Sequence, residues 1–211
     1  AFKAAKRVID EGGYAVGTKS DLTGGMNSLD KQNVMWGAGI QVADQAGGYA
    51  GFFTHMDNKE GAYAKSAPKL ISKQLYNRIS ATDIRRDWWD PSDKESPYVS
   101  KKFSFANVAS FLGDYIYMRV EEMYFTAAEA ALRLDDLKSA RELMNTVMAE
   151  RDPGYSANNR SGTLLGATTT TWTGSFLENI LTHRRIELWG EYGRLFDVRR
   201  LGQGIDRRTD D

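Results

Sequence analysis

The chain has 211 residues, enough for one ordinary domain or for part of a larger one. Hydrophobic residues make up 41% and charged residues 27%, which excludes the low-hydrophobicity, high-charge regime of disordered chains. Lys+Arg (28) balance Asp+Glu (28) and cysteine is absent, so there is no net positive field to recruit nucleic acid or anionic lipid, no disulfide framework and no thiolate metal site or nucleophile.

In chain order, Phe2, Ala5, Val8 and Ile9 form the apolar stripe of a helix over residues 1–11, which Gly12-Gly13 stops. No Ser, Thr, Asp or Asn precedes it as an N-cap, so the natural chain is expected to extend upstream, and any targeting sequence would lie there. Residues 14–64 are interrupted by glycines, and only 33–36 and 40–42 resemble short strands. The embedded Trp36, Tyr49, Phe52, Phe53 and Tyr63 argue that this long insertion is ordered. Residues 69–79 read as a helix with Leu70, Ile71, Leu75 and Ile79 on one face, and 87–97 as a polar loop, punctuated by Pro91 and Pro97, that carries Trp88-Trp89.

The strongest pattern lies in 114–152. Tyr117, Val120, Tyr124, Ala127, Ala128 and Ala131 make one helical face, Asp135-Asp136 turns the chain, and Ala140, Leu143, Met144, Val147 and Met148 make a second. So short a turn requires the two helices to be antiparallel. With Glu121 as the first residue, Tyr124, Ala128, Ala140, Met144 and Val147 fall on tetratricopeptide positions, and Pro153 lies one place beyond the usual proline. An alanine-seamed helical hairpin outside that family fits the same residues. Residues 153–174 are loop, with a threonine run at 168–171 before Trp172. Ser175 caps a last helix through Phe176, Leu177, Ile180, Leu181, Leu188, Tyr192 and Leu195, which Gly202 and Gly204 end. Its Arg184, Arg185, Glu187, Glu191 and Arg194 have the spacing of ion pairs three and four residues apart.

Metal and cofactor chemistry finds little support. His55 and His183 match no zinc spacing, and Asp90, Asp93 and Glu95 lack the calcium-loop pattern and read as a solvated acidic turn. Gly37-Ala38-Gly39 and Gly17-Thr18-Lys19-Ser20 are incomplete nucleotide motifs. No cofactor and no metal is expected.

The aromatic content (5 Trp, 10 Tyr, 9 Phe) is more informative, because many rings sit in glycine-rich or polar segments. An exposed ring stacks on the C–H face of a sugar while amide, carboxylate or guanidinium groups bond its hydroxyls. Trp36, Tyr49, Phe52, Phe53, Tyr63, Trp88, Trp89 and Trp172 are the candidate rings, with Asp57, Asn58, Arg86 and Asp87 as polar partners. Beside this stands the plainer reading that each ring packs a loop onto the helices, favoured for Trp36 in its strand-like run.

Three stretches together carry a resemblance. They are Tyr117-Met118-Arg119-Val120-Glu121-Glu122-Met123-Tyr124 with Ala127-Ala128-Glu129-Ala130; Ile180-Leu181, Arg184-Arg185-Ile186-Glu187-Leu188, Glu191, Arg194, Phe196-Asp197 and Arg199-Arg200; and, more weakly, Leu75-Tyr76, Asp83-Ile84-Arg85 and Lys102-Phe103. In order and spacing they resemble the SusD/RagB family of outer-membrane glycan-binding lipoproteins of Bacteroidetes. His183 departs from the family, which more often has an acidic residue before the paired arginines. The resemblance covers nearly the whole chain and implies the C-terminal part of one SusD-like domain.

The fold it implies is mainly α, a tetratricopeptide-like α/α superhelix with long irregular loop insertions and a few short strands. Its parts are 1–13 (end of a helix pair), 14–113 (loop-rich insertion), 114–152 (helix pair), 153–174 (loop) and 175–211 (C-terminal helix and tail). The implied function is non-catalytic oligosaccharide binding at the cell surface, with delivery to a SusC-like TonB-dependent transporter. Membrane association would come only from a lipid anchor upstream. The signature residues are expected to be scaffold, and no family motif assigns the ligand residues. Two other readings stay open: a helical-repeat scaffold that binds protein, and a glycosidase using two loop carboxylates about 5–9 Å apart.

Overall fold

The structure, a computed structural model, describes residues 1–44, 50–191 and 193–206. In chain order the elements are α1 (Phe2–Glu11), α2 (Lys19–Thr23), β1 (Val34–Ala38), α3 (Phe52–Met56), α4 (Ala62–Ser66), α5 (Lys73–Tyr76), β2 (Trp89–Asp90), β3 (Val99–Ser100), β4 (Tyr115–Arg119), α6 (Val120–Arg133), α7 (Leu137–Ala149), α8 (Phe176–Glu187) and α9 (Arg194–Leu201). Short 3-10 turns occupy Val42–Asp44 and Ile84–Trp88. The architecture is thus mainly helical with a few short strands. Two compact units form: Ala1–Val16 with Val120–Asp211, and Gly17–Arg119.

The first unit is built on the α6–α7 hairpin. Asp135 takes a left-handed conformation (φ 60°) and Asp136 caps α7 by accepting the Ser139 amide at 3.0 Å. Ala127, Ala128, Ala131 and Ala140 are fully buried and let the helices approach closely, while Phe125, Met144, Val147 and Met148 fill the remaining space. Phe2, Ala5 and Ile9 of α1 and Phe176, Leu177, Ile180 and Leu181 of α8 pack on the same core.

Charged side chains pin these helices together. Arg151, just beyond α7, donates to both carboxylate oxygens of Glu187 on α8 at 3.0 Å and to Glu121 on α6 at 2.8 Å, with all three side chains buried. Arg184 bridges Glu122 at 2.8 Å and Asp197 at 3.1 Å, and Arg200 grips Glu129 through two bonds at 2.6 and 2.7 Å. The expected short-range pairs along the last helix are therefore corrected: Arg184 and Glu187 reach across to other elements. That helix is also two helices, because Gly190 (φ 74°) and Gly193 (φ 98°) adopt left-handed conformations between α8 and α9.

The second unit has an aromatic core. Trp88 and Trp89 pack edge to face at 5.8 Å, and the Trp88 indole N–H donates to the Leu22 carbonyl at 3.0 Å. The buried Lys102 ammonium lies 4.5 Å from the centre of the Trp88 ring. Phe52 packs against Phe53, Phe103 and Tyr115, and Phe53 against Phe105. The helix expected over 69–79 shrinks to α5, since Ser72 caps it and Leu70 pairs with Val99 as an extended bridge. The expected strand at 40–42 gives way to a turn in which the Asp44 carboxylate accepts the Gln41 amide.

Tyr117, expected on a helix, belongs instead to β4. This strand pairs antiparallel with β1 in the register Val34↔Arg119, Trp36↔Met118, Gly37↔Ile116 and Ala38↔Tyr115, with irregularities on both sides of Trp36.

Candidate functional site

The β1–β4 ribbon carries an exposed pair of rings. In each strand only the central residue is exposed: Trp36 at 63% and Tyr117 at 44%. Their ring centres lie 5.1 Å apart at 64°, so the edge of one supports the face of the other. The register of the β1–β4 pair shifts on both sides of Trp36.

The ribbon that carries these rings is held by side-chain oxygens that accept main-chain amides. The Asp114 carboxylate accepts the amides of Leu29 and Ile40 at 3.0 Å, and the Asp114 amide donates to the Asn27 carbonyl at 2.9 Å. Gly37 lies so close to the Tyr115 carbonyl and the Leu29 side chain that a Cβ there would collide with both. The Tyr115 hydroxyl accepts the Phe52 amide at 3.3 Å, tying the ribbon to the aromatic core.

The other ring candidates fare differently. Trp88 and Trp89 are only 3% and 1% exposed, and Phe53 is also buried, so none offers a face to a ligand. Their expected place in the site is corrected: they are core. Phe52 is partly covered by Phe53, Phe103 and Tyr115. Tyr63 is exposed and stacks on His55 at 4.7 Å. Trp172 is half-buried, and Tyr49 lies outside the described residues.

Two polar candidates are also engaged structurally. The Asn58 amide nitrogen donates to the Ser100 carbonyl at 2.7 Å and its oxygen accepts the Lys69 amide at 2.8 Å, so its polar atoms serve the fold at the wall of a groove that it lines. The Arg86 guanidinium donates to the Ile79 carbonyl at 2.7 Å and lies 4.3 Å from the centre of the Tyr76 ring. Buried Asp57 accepts the amides of Lys59, Glu60 and Phe105, each at 3.0 Å, while Asp87 stays exposed.

A groove of about 760 Å³ runs past Asp90, Asp93, Glu95, Lys59, Lys65 and Lys101. Its acidic turn is internally satisfied. Asp90 accepts the Ser92 hydroxyl and amide, which hold its carboxyl below the ordinary 3.8, and Asp93 accepts the amides of Glu95 and Ser96. No group of three metal-ligating side chains occurs among the described residues. The groove offers hydroxyl-bonding partners, but its aromatic members, Phe103 and Phe105, are buried.

The sequence profile of the SusD family matches residues 49–208. The chain belongs to the SusD/RagB family. Solved structures agree with that membership. A SusD-like carbohydrate binding protein from Bacteroides vulgatus is 26% identical with a TM-score of 0.74, over 98% of this chain and 42% of that one. A SusD superfamily protein from Bacteroides thetaiotaomicron is 20% identical (TM-score 0.70; 99% of this chain, 47% of that one). Surface glycan-binding protein A from Bacteroides uniformis is 18% identical (TM-score 0.59; 93% and 43%). The SusD-family chain thus spans under half the length of these structures. No match to a curated protein was found.

Placed on the structure, the SusD/RagB signature residues Glu121, Glu122, Glu129, Arg184, Glu187, Asp197 and Arg200 are the ion-pair scaffold of the first unit. Sequence reasoning missed Tyr117 as a site residue, because its apolar neighbours continue into the pattern of α6. It also missed Arg151, a single charge after a helix end with no periodic signal.

Proposed function

We propose that this SusD-family protein binds an oligosaccharide without cleaving it, and that Trp36 and Tyr117 form the stacking surface. The observation that carries this reading is the outward pair itself: two large rings, mutually braced, on a ribbon held by bonds between the Asp114 carboxylate and main-chain amides. An indole or phenol face left in water is available to the C–H face of a pyranose, and its bracing means little conformational entropy is lost on binding. The carbohydrate binding named for the 26% identical relative supports the same class of ligand. The reading requires no positioned acid and base, and the acidic turn of the groove is engaged with its own loop.

By family membership, the complete protein would act at the outer-membrane surface and pass its ligand to a SusC-like TonB-dependent transporter. No described helix is long and apolar enough to cross a membrane.

The test is a glycan array followed by titration calorimetry with the best oligosaccharide. Trp36→Ala and Tyr117→Ala should each weaken binding about tenfold, roughly 1.4 kcal/mol. Tyr63, exposed but stacked on His55, supplies the control, and Tyr63→Ala should leave binding unchanged. Unaltered affinity in both ribbon variants rejects the surface. Sugar release with a new reducing end would indicate a glycosidase instead.

A further inference from the structure

We propose that Arg185 and Arg194 form a second binding site, in the first unit, for the carboxylate of a small acidic ligand. The two guanidiniums line a pocket of about 420 Å³ between the end of α8 and the start of α9, together with Leu188, Trp189 and Gly193. This volume accommodates a monosaccharide or a short organic acid.

The charges in this pocket are unevenly matched. Its third cation, Arg184, is bonded to Glu122 and Asp197, and Asp197 is shared with Arg200. Arg185 and Arg194 have neither a hydrogen bond nor an ion pair with any described residue. Burial, and then each other's charge, disfavours the cationic form of Arg185, whose pKa falls to about 10; burial also lowers that of Arg194, against the attraction of Asp197. Two partly buried like charges lining one pocket disfavour the empty site, and an anion bound by both relieves them.

The balance of the lining selects the anion. Arg184, Arg185 and Arg194 face Glu191 and Asp197, leaving one unit of positive charge. A monovalent carboxylate matches it, and the planar guanidinium fork bonds both of its oxygens. A phosphate dianion would meet Asp197 and Glu191 with excess negative charge. Gly193, in its left-handed conformation, lines the same pocket and turns the chain from α8 into α9.

The experiment is calorimetry on the 211-residue chain with glucuronate, succinate, glucose and a Glu-rich peptide. Glucuronate should bind here, and any glucose binding should be confined to the stacking surface, unchanged by Arg185→Gln or Arg194→Gln. Arg185→Gln and Arg194→Gln should each weaken glucuronate at least tenfold, whereas Trp36→Ala should leave it unchanged, which separates this site from the stacking surface. Succinate binding as tightly as glucuronate makes it a site for small carboxylates in general; a tenfold preference for glucuronate makes it one for acidic sugars. In thermal melts the ligand-free Arg185→Gln variant should match or exceed the parent, and glucuronate should raise the melting point of the parent alone. Glucose binding that Arg185→Gln and Arg194→Gln weaken as much as they weaken glucuronate, glucuronate affinity that survives both substitutions, or binding of the peptide alone overturns the proposal.

Discussion

Trp36 and Trp88 show how one residue type serves two ends. A Trp at the centre of a strand that is covered on one face can turn wholly outward, and Trp36 does so. The Trp88-Trp89 dipeptide was the more conspicuous signal, since neighbours in a regular strand point to opposite sides. Here, however, Trp88 ends a 3-10 turn and Trp89 begins β2, so the backbone changes course between them and both rings turn inward at 74° to each other. Only the tertiary structure reveals this. The stability difference follows: Trp88→Ala should cost about 3–5 kcal/mol in urea unfolding, and Trp36→Ala under about 0.5 kcal/mol. Equal losses in the two variants would place Trp36 in the core as well.

At the scale of elements, the α6–α7 hairpin and strand β1 were legible, whereas strand β4 and the short helices of the second unit were not. Alternating small and large residues over 120–149 specify a close-packed hairpin whatever its surroundings, and α6 and α7 form where that pattern lies. The strand β4 runs directly into α6, so Tyr117 and Val120 share one apolar stretch in which the period alone cannot mark the junction. The ribbon's weak point is Gly37. Gly37→Ala should displace Tyr115 or Leu29 and loosen the strand pairing, lowering oligosaccharide affinity at least as much as Trp36→Ala while the helical circular dichroism is retained. Normal binding by that variant would show that the ribbon does not position the rings.

Across the whole molecule, the family signature maps onto opposite charges brought together inside the first unit. The family signature was readable because these buried pairs constrain both the type and the spacing of their residues. Ligand contacts carry no such constraint, which is why the resemblance assigned a scaffold and left the site to local composition. Acid should expose this network. Burial raises the Glu129 carboxyl, but hydrogen bonds and charge from Arg200 and Arg133 outweigh it and hold the group below the ordinary 4.5. A carboxyl depressed in the folded state contributes stability above its unfolded value and loses it as pH falls through the folded one. Glu129→Gln should therefore melt lower than the parent at neutral pH, and the gap should close below about pH 4.5 as melting is followed into acid. A gap that stays constant with pH would remove Glu129 from that role.

Asp114 and Gly37 hold the ribbon through main-chain groups and a missing side chain, and none of these contacts involves the indole of Trp36 or the phenol of Tyr117. What is displayed is thereby uncoupled from what does the holding. If the rings bind sugar as proposed, the two positions act as a socket: other side chains fitted there should favour a different sugar shape while the means of folding is kept.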